Sequence, residues 1–254
     1  MLQFTAFLLV VAGCCWGLLH GAENLGYNWH WSRVPRYLVV SSAEGWRAGP
    51  LLQGLWLTLK ITTVSLLLSM LIGLLLALMR LSTSPMARFI SKVYLELIRN
   101  TPLLIQIFLI YFVFAPILDL GRFSSAVLAL SLFEGAYASE IVRAGILAIP
   151  KGQWEAAASL GLRNVQSYRH IILPQALRQM IPPLTSQGIS LIKDSALVST
   201  IAIYDLTMQG QRIIAETFLT FEIWFTVAAI YLLVTIALSF LVSFLEHRLG
   251  EDRI

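Results

Sequence analysis

Apolar positions along the chain come in long runs separated by short clusters of charge. No Asp, Glu, Lys or Arg occurs from Met1 to Ala22, between Lys60 and Arg80, between Arg99 and Asp119, or between Glu222 and Glu246. A helix needs about 20 residues to cross ~30 Å of hydrocarbon, and each run is close to that length. Two further runs are apolar but interrupted. Residues 124–146 carry Glu134, Glu140 and Arg143, and residues 178–204 carry Lys193, Asp194 and the pair Pro182-Pro183. Charge facing lipid is costly, so such helices turn these groups toward a protein interior or a wet cavity. The pattern predicts six spans, near 3–20, 52–79, 97–117, 124–146, 178–204 and 223–245, and hence an all-α polytopic membrane protein.

Composition supports lipid as the solvent. The 254 residues are 57% hydrophobic and 13% charged, where soluble domains average about 25% charged. Lys and Arg then set the orientation. With the C-terminus in the cytoplasm, inner loops and helix ends hold eleven of them and outer ones six. Segment 21–50 falls outside, and its Tyr27, Trp29, Trp31 and Trp46 suit a membrane–water interface. A boundary near residue 50 therefore divides an N-terminal span with its extracytoplasmic segment, 1–50, from a larger membrane domain, 51–254. Cys14 and Cys15 are adjacent and cannot sensibly pair with each other. Val11-Ala12-Gly13-Cys14 looks like a lipoprotein cleavage box, but no Lys or Arg precedes the apolar run, which favours a plain first span.

Chemistry of other kinds lacks a signature. There is no G-x-x-x-x-G-K-[ST] phosphate loop, and His20, His30, His170 and His247 are scattered without metal-ligand spacing. No enzyme activity, metal, cofactor or nucleic-acid partner is expected. The energy for any transport has to come from another chain or from an ion gradient.

The longest polar interruption, Arg143 to Arg178, falls on the cytoplasmic side. Pro150 is placed to open a helix in which Trp154, Ala157, Ala158 and Gly161 share one face. Gly161 can stop that helix in a left-handed conformation, and Asn164 can cap a second short helix through Tyr168 to Ile172, which Pro174 would end. Small side chains let another surface approach closely, and Glu155 offers an anchoring charge. Spacing alone leaves open a docking element or a simple loop with helix-favouring alanines.

The sequence Glu155-Ala156-Ala157, three residues, Gly161, nine residues, then Ile171-Ile172-Leu173-Pro174 resembles the EAA loop of binding-protein-dependent ABC importer permeases. Further stretches resemble the polar amino acid permeases of that family: Glu96-Leu97-Ile98-Arg99-Asn100-Thr101-Pro102-Leu103-Leu104-Ile105-Gln106, Gly135 to Ile146, and Lys193-Asp194-Ser195-Ala196-Leu197. The likeness runs over about residues 50 to 247. Asn100 stands where Gly is commoner, and Ala196 where Ser is common.

The resemblance implies a type I (MetI-like) ABC importer fold in the bacterial inner membrane, a five-helix core plus an extra N-terminal span. It implies that the loop at 148–174 couples to an ATPase subunit through Glu155, Ala156, Ala157, Gly161, Leu173 and Pro174. It further implies two ATPase copies, a second permease subunit, an extracytoplasmic solute-binding protein, surrounding membrane lipid and a polar amino acid as solute. Lys193 and Asp194 lie in an apolar span, where they either pair with each other or across helices, or meet the carboxylate and amine of a zwitterion. Asn100, Thr101 and Ser195 join them as candidate solute contacts. Glu140 and Arg143, three apart on one helix, read as a structural pair. The rival readings are a permease of the same fold for another small solute, such as an ion or peptide, an ion-coupled secondary transporter using Lys193, Asp194 or Glu140, and a membrane scaffold whose loop recruits a cytoplasmic protein.

Overall fold

The computed structural model describes residues 27–42 and 45–250, with side chains to 244, and a few helical positions between 9 and 21. The expected span at 3–20, with Cys14 and Cys15, lies largely outside the described residues. Strands β1 (Val39–Ser42) and β2 (Gly45–Ala48) form a small antiparallel hairpin ahead of the first long helix. Helices α1 (Pro50–Leu81), α2 (Pro85–Arg99), α3 (Leu103–Leu118) and α4 (Arg122–Leu147) follow. Then come α5 (Lys151–Ser159), α6 (Leu173–Asp194), α7 (Leu206–Thr217) and α8 (Thr220–Gly250). Among the described residues α1, α4 and α8 are each long and apolar enough to cross a membrane, and α2 with α3 makes a bent pair that passes the same test together.

The centre of the bundle is α1 against α4, running in the same direction. Ser65, Ser69, Gly73 and Ala77 recur every four residues on α1 and are buried. They meet Ser131, Gly135, Ala138 and Ser139 on α4, also buried. A Cβ on Gly73 would lie 2.6 Å from the Ala138 Cβ, and one on Gly135 would lie 2.7 Å from Ile72 Cγ2. In lipid no hydrophobic drive pulls helices together, so close backbone approach through small residues supplies the contact. Ser131 Oγ donates to the carbonyls of Val127 at 2.6 Å and Ser65 at 3.3 Å, which spends its polarity inside the pair.

The expected span at 97–117 is broken. Helix α2 ends at Arg99, and α3 leaves it at 104°. Thr101 precedes Pro102, and a residue before proline is steered away from the helical region. The freed carbonyls of α2 are taken by side chains. Asn100 Nδ2 donates to Glu96 O at 2.8 Å, Thr101 Oγ1 to Leu97 O at 2.7 Å, and Gln106 Nε2 to Ile98 O at 2.7 Å. The Asn-Thr-Pro stretch and Gln106 thus cap one helix and start the next.

The second helix of the loop also departs from expectation. Pro174 does not end it: Asn164–Ser167, a widened turn at Tyr168–Ile172 and α6 follow one another without a break. Leu173 N–H reaches back five residues to Tyr168 O, and that wide turn accommodates the proline ring. The same device, Ala115 N–H to Ile110 O, precedes Pro116 in α3. Arg163, rather than Asn164, holds the cap position, its N–H donating to Gln166 Oε1 at 2.9 Å. Pro182 and Pro183 lie inside α6, which begins at Leu173 rather than 178 and stops at Asp194. A tight helical turn, Ser195–Ile201, then leads to α7, an element the apolar pattern does not announce.

At the opposite end from the loop, Leu51, Leu206, Ile213 and Ile223 form a buried cluster. The aromatic segment packs there, with Trp29 and Trp31 stacked at 5.9 Å and Tyr27 Oη donating to Glu222 Oε2 at 2.5 Å. Asp205 caps α7 by accepting from Met208 N–H at 2.9 Å. It is fully buried, and its Oδ2 has no partner among the described residues. Burial pushes its carboxyl up to about 6 against the pull of backbone N–H groups of Met208 and Thr207.

Candidate functional site

The loop that joins α4 to α6 folds as a helix, a glycine turn and a second helix, as its spacing suggests. Pro150 precedes α5 with extended backbone. Gly161 has φ of +71°, so the chain reverses in the left-handed region that glycine adopts without a steric cost. Gly161 N–H donates to Ala158 O at 2.9 Å and Leu162 N–H to Ala157 O at 3.2 Å, the paired bonds of a Schellman cap. Trp154 packs edge-to-face on Tyr168 of the second helix, with ring centroids 4.8 Å apart. Gln175 Nε2 donates to Gln153 Oε1 at 3.3 Å, tying α5 to α6.

This packing sorts the expected contact residues. Ala157 is fully buried, inside the loop's own interface with Trp154 half-buried beside it. Glu155, Ala156, Ala158 and Gly161 are exposed, and so are Leu173 and Pro174 at the start of α6. Leu160 and Val165, which the family spacing does not mark, are 75% and 77% exposed. Apolar side chains that project this far from a polar loop were the signal available in the sequence, and they flank the glycine turn.

Inside the bundle a different group assembles. Glu134 of α4 is buried and accepts a hydrogen bond from Gln187 Nε2 of α6. Asp194 lies close enough for the two carboxyls to feel each other, and Glu134 Oε1 has no hydrogen-bond partner among the described residues. Asp194 is half-buried at the last turn of α6. Lys193 is exposed and forms no ion pair with Asp194 or another carboxylate among the described residues. Ser195 is buried and donates to Ile192 O at 2.7 Å, so its hydroxyl serves the helix end. Glu134 and Gln187 were not singled out as site residues from sequence. The signal for Glu134 was a carboxylate in an apolar run, but nothing local pairs it with residues 53 and 60 positions away.

Asn100 and Thr101 are not part of this group. Their side-chain donors close α2, and Asn100 borders a separate cavity near Glu140. Glu140 does pair with Arg143, at 3.1 Å, and the structure adds Arg80 at 2.6 Å and Arg99 at 3.2 Å.

Parallel small-residue packing, long apolar helices, an exposed helix–glycine–helix loop and carboxylates inside the bundle are the features of a polytopic helical membrane protein. Residues 69–251 match the family of binding-protein-dependent transport system inner membrane components, and the chain belongs to that family as a permease subunit of an ABC importer. It is 41% identical over 208 residues to the glutamine transport system permease protein GlnP of Escherichia coli strain K12, covering 80% of this chain and 95% of that one. It is 41% identical over 200 residues to the L-cystine transport system permease protein TcyB of Bacillus subtilis, covering 78% and 86%. A crystal structure of an amino acid ABC transporter with histidines superposes with a TM-score of 0.74 at 39% identity, covering 78% and 94%. The inward-facing MetNI methionine ABC transporter, 23% identical with a TM-score of 0.68 over 79% and 96%, shares the fold.

Proposed function

We propose that this chain, paired with a second copy or a close homologue, forms the inner-membrane path for a polar amino acid. In this reading residues 51–254 are the permease domain, residues 1–50 are an added span and extracytoplasmic segment, and the C-terminus is cytoplasmic. The chain makes and breaks no covalent bond. Two separate ATPase subunits supply the energy, and an extracytoplasmic binding protein delivers the solute. Glutamine and cystine, the solutes in the names of the relatives, set the chemical class: a zwitterion with a polar side chain.

The observation that carries the reading is the pairing of two features in one chain. The first is the loop at 148–174, whose Glu155, Ala156 and exposed Leu160 surround the glycine turn that an ATPase groove would receive. The second is the pair of neighbouring carboxyls Glu134 and Asp194, with the exposed Lys193 next to Asp194 in the chain. An ammonium group would satisfy the idle Glu134 oxygen, and Lys193 offers the opposite charge for a carboxylate. Ser195 and the turn at Asn100-Thr101 then shape the walls rather than supply charge. ATP binding draws the two ATPase subunits together, their docked loops follow, and the two bundles tilt to open the path toward the delivered solute.

The test is uptake of labelled glutamine, cystine and other amino acids by vesicles holding the permease, ATPase and binding protein. Asp194→Asn should raise the solute concentration needed for half-maximal uptake while the ATPase stays bound. Unchanged uptake kinetics in that variant would remove Asp194 from the solute path.

A further inference from the structure

The cavity beside Asn100 and Glu140 lies at the loop end of the bundle, between α2 and the ends of α1 and α4, with a volume of ≈ 610 Å³. Five cations line it: Arg80 from α1, Arg88, Lys92 and Arg99 from α2, and Arg143 from α4. Two carboxylates face them, Glu96 and Glu140. Glu140 alone answers three arginines, within 3.2 Å of each. Glu96 is engaged by Asn100 Nδ2 at 2.9 Å. Lys92 is exposed and makes no ion pair among the described residues, and Arg88 bonds only the carbonyl of Thr83, at 3.3 Å. The lining therefore holds an excess of positive charge that the described residues do not neutralise.

Helix α2 explains where an anion would come from. Arg88, Lys92, Glu96 and Arg99 recur at three- and four-residue spacing and form the face that lines the cavity. Met86, Phe89, Ile90, Val93 and Leu97 form an opposite apolar face and are exposed. The 104° bend sets α2 nearly across the axis of α3, an attitude that would lay α2 along the bilayer surface if α3 stood upright in it. A helix with a basic face, an apolar face and this attitude belongs at the headgroup boundary. Basic pockets between membrane helices at that depth suit phosphate head groups.

We propose that this cavity is a phosphate site, occupied by the head group of an anionic phospholipid from the leaflet on the loop side. A phosphate diester spreads its charge over two free oxygens that can bridge guanidinium groups from α1, α2 and α4. Binding would join those three helices where the break at Asn100–Pro102 leaves α2 tethered by α1 and α4.

The test compares lipids on the purified full-length chain by native mass spectrometry. Dioleoyl phosphatidylglycerol should be retained in preference to dioleoyl phosphatidylcholine. The double substitution Arg88→Gln/Lys92→Gln should weaken its retention by roughly tenfold or more, at about one surface-charge contribution per residue removed. Arg163→Gln/Arg169→Gln removes the same charge from exposed loop positions and should leave retention unchanged. Equal retention of both lipids, or equal behaviour of the two double variants, would overturn the site. Displacement of phosphatidylglycerol by equimolar inorganic phosphate would instead assign the cavity to a free anion and overturn the lipid. An unchanged melting temperature in Arg88→Gln/Lys92→Gln confirms that the variant is folded when retention is read.

Discussion

The ring of Trp154 meets the ring of Tyr168 edge-on, 4.8 Å between centroids and 79° between planes. One ring stands on α5 and the other in the widened turn ahead of α6, so this contact fixes the angle between the two halves of the loop at 148–174. Edge-to-face pairs contribute about 0.5–1.5 kcal/mol beyond their buried area. Trp154→Ala should therefore lower the stability of the loop by about that amount and release Ala157 from its buried position. Hydrogen exchange in residues 151–168 should quicken while exchange in α1 and α4 stays slow. Unaltered exchange in the loop would show that the ring pair is not what holds it.

Gly161 separates a conformational cost from a steric one. A Cβ there would meet nothing within 4 Å, but φ is +71°. Gly161→Val should cost about 1–2 kcal/mol through backbone strain alone and abolish uptake, with the chain still inserted in the membrane. Gly161→Asn, which tolerates the left-handed region, should keep most uptake. Equal uptake in both variants would mean that the turn is not needed for coupling.

Asp205 predicts a pH dependence of stability. Its folded carboxyl is pushed up to about 6 from an ordinary value of 3.8. The sign follows from linkage: the protonated form is favoured in the fold, so this contribution is full below 3.8 and is lost as pH rises through 6. Asp205→Asn keeps an N-cap acceptor and removes the charge. It should raise the melting temperature at pH 7, by an amount equivalent to about 1–3 kcal/mol, and flatten the profile between pH 4 and 7. A steeper profile in the variant would contradict the burial argument.

Glu140 holds Arg80, Arg99 and Arg143 together from three helices. Glu140→Gln leaves three guanidinium groups facing one another. The side chains are about a quarter to a half exposed, so water screens part of the repulsion and the expected loss is about 1–2 kcal/mol. Thermal unfolding in detergent at low and high salt checks this, since the deficit should shrink as salt rises. A deficit that grows with salt would point to a role other than charge balance.

Orientation is open to a direct check. Single cysteines placed in 27–38 and in 151–165 should label from opposite sides of intact cells, the first from outside. Labelling of both from outside would reverse the assignment of the loop to the cytoplasm.

Much of the architecture is a property of the chain's own pattern. The existence of α1, α4 and α8 follows from long apolar runs, free of charge over 61–79 and 223–245 and interrupted only by Glu134, Glu140 and Arg143 in α4, because lipid tolerates neither unpaired backbone nor lipid-facing charge over that distance. The helix–glycine–helix shape of the loop is equally legible, since Pro150, Gly161 and the intervening small residues act locally on the backbone. The rest depended on groups far apart in sequence. That α3 leaves α2 at 104° required Gln106 to fold back on the carbonyl of Ile98. That Ala157 turns inward and Leu160 outward required Tyr168 to arrive beside Trp154. Glu134 became a partner of Gln187 and a neighbour of Asp194, and Glu140 a partner of three arginines, only when helices packed. Helix periodicity is written in neighbouring residues, whereas the pairing of buried charges is decided by which helices lie side by side, and that depends on the close fit of Gly73 to Ala138 and of Gly135 to Ile72.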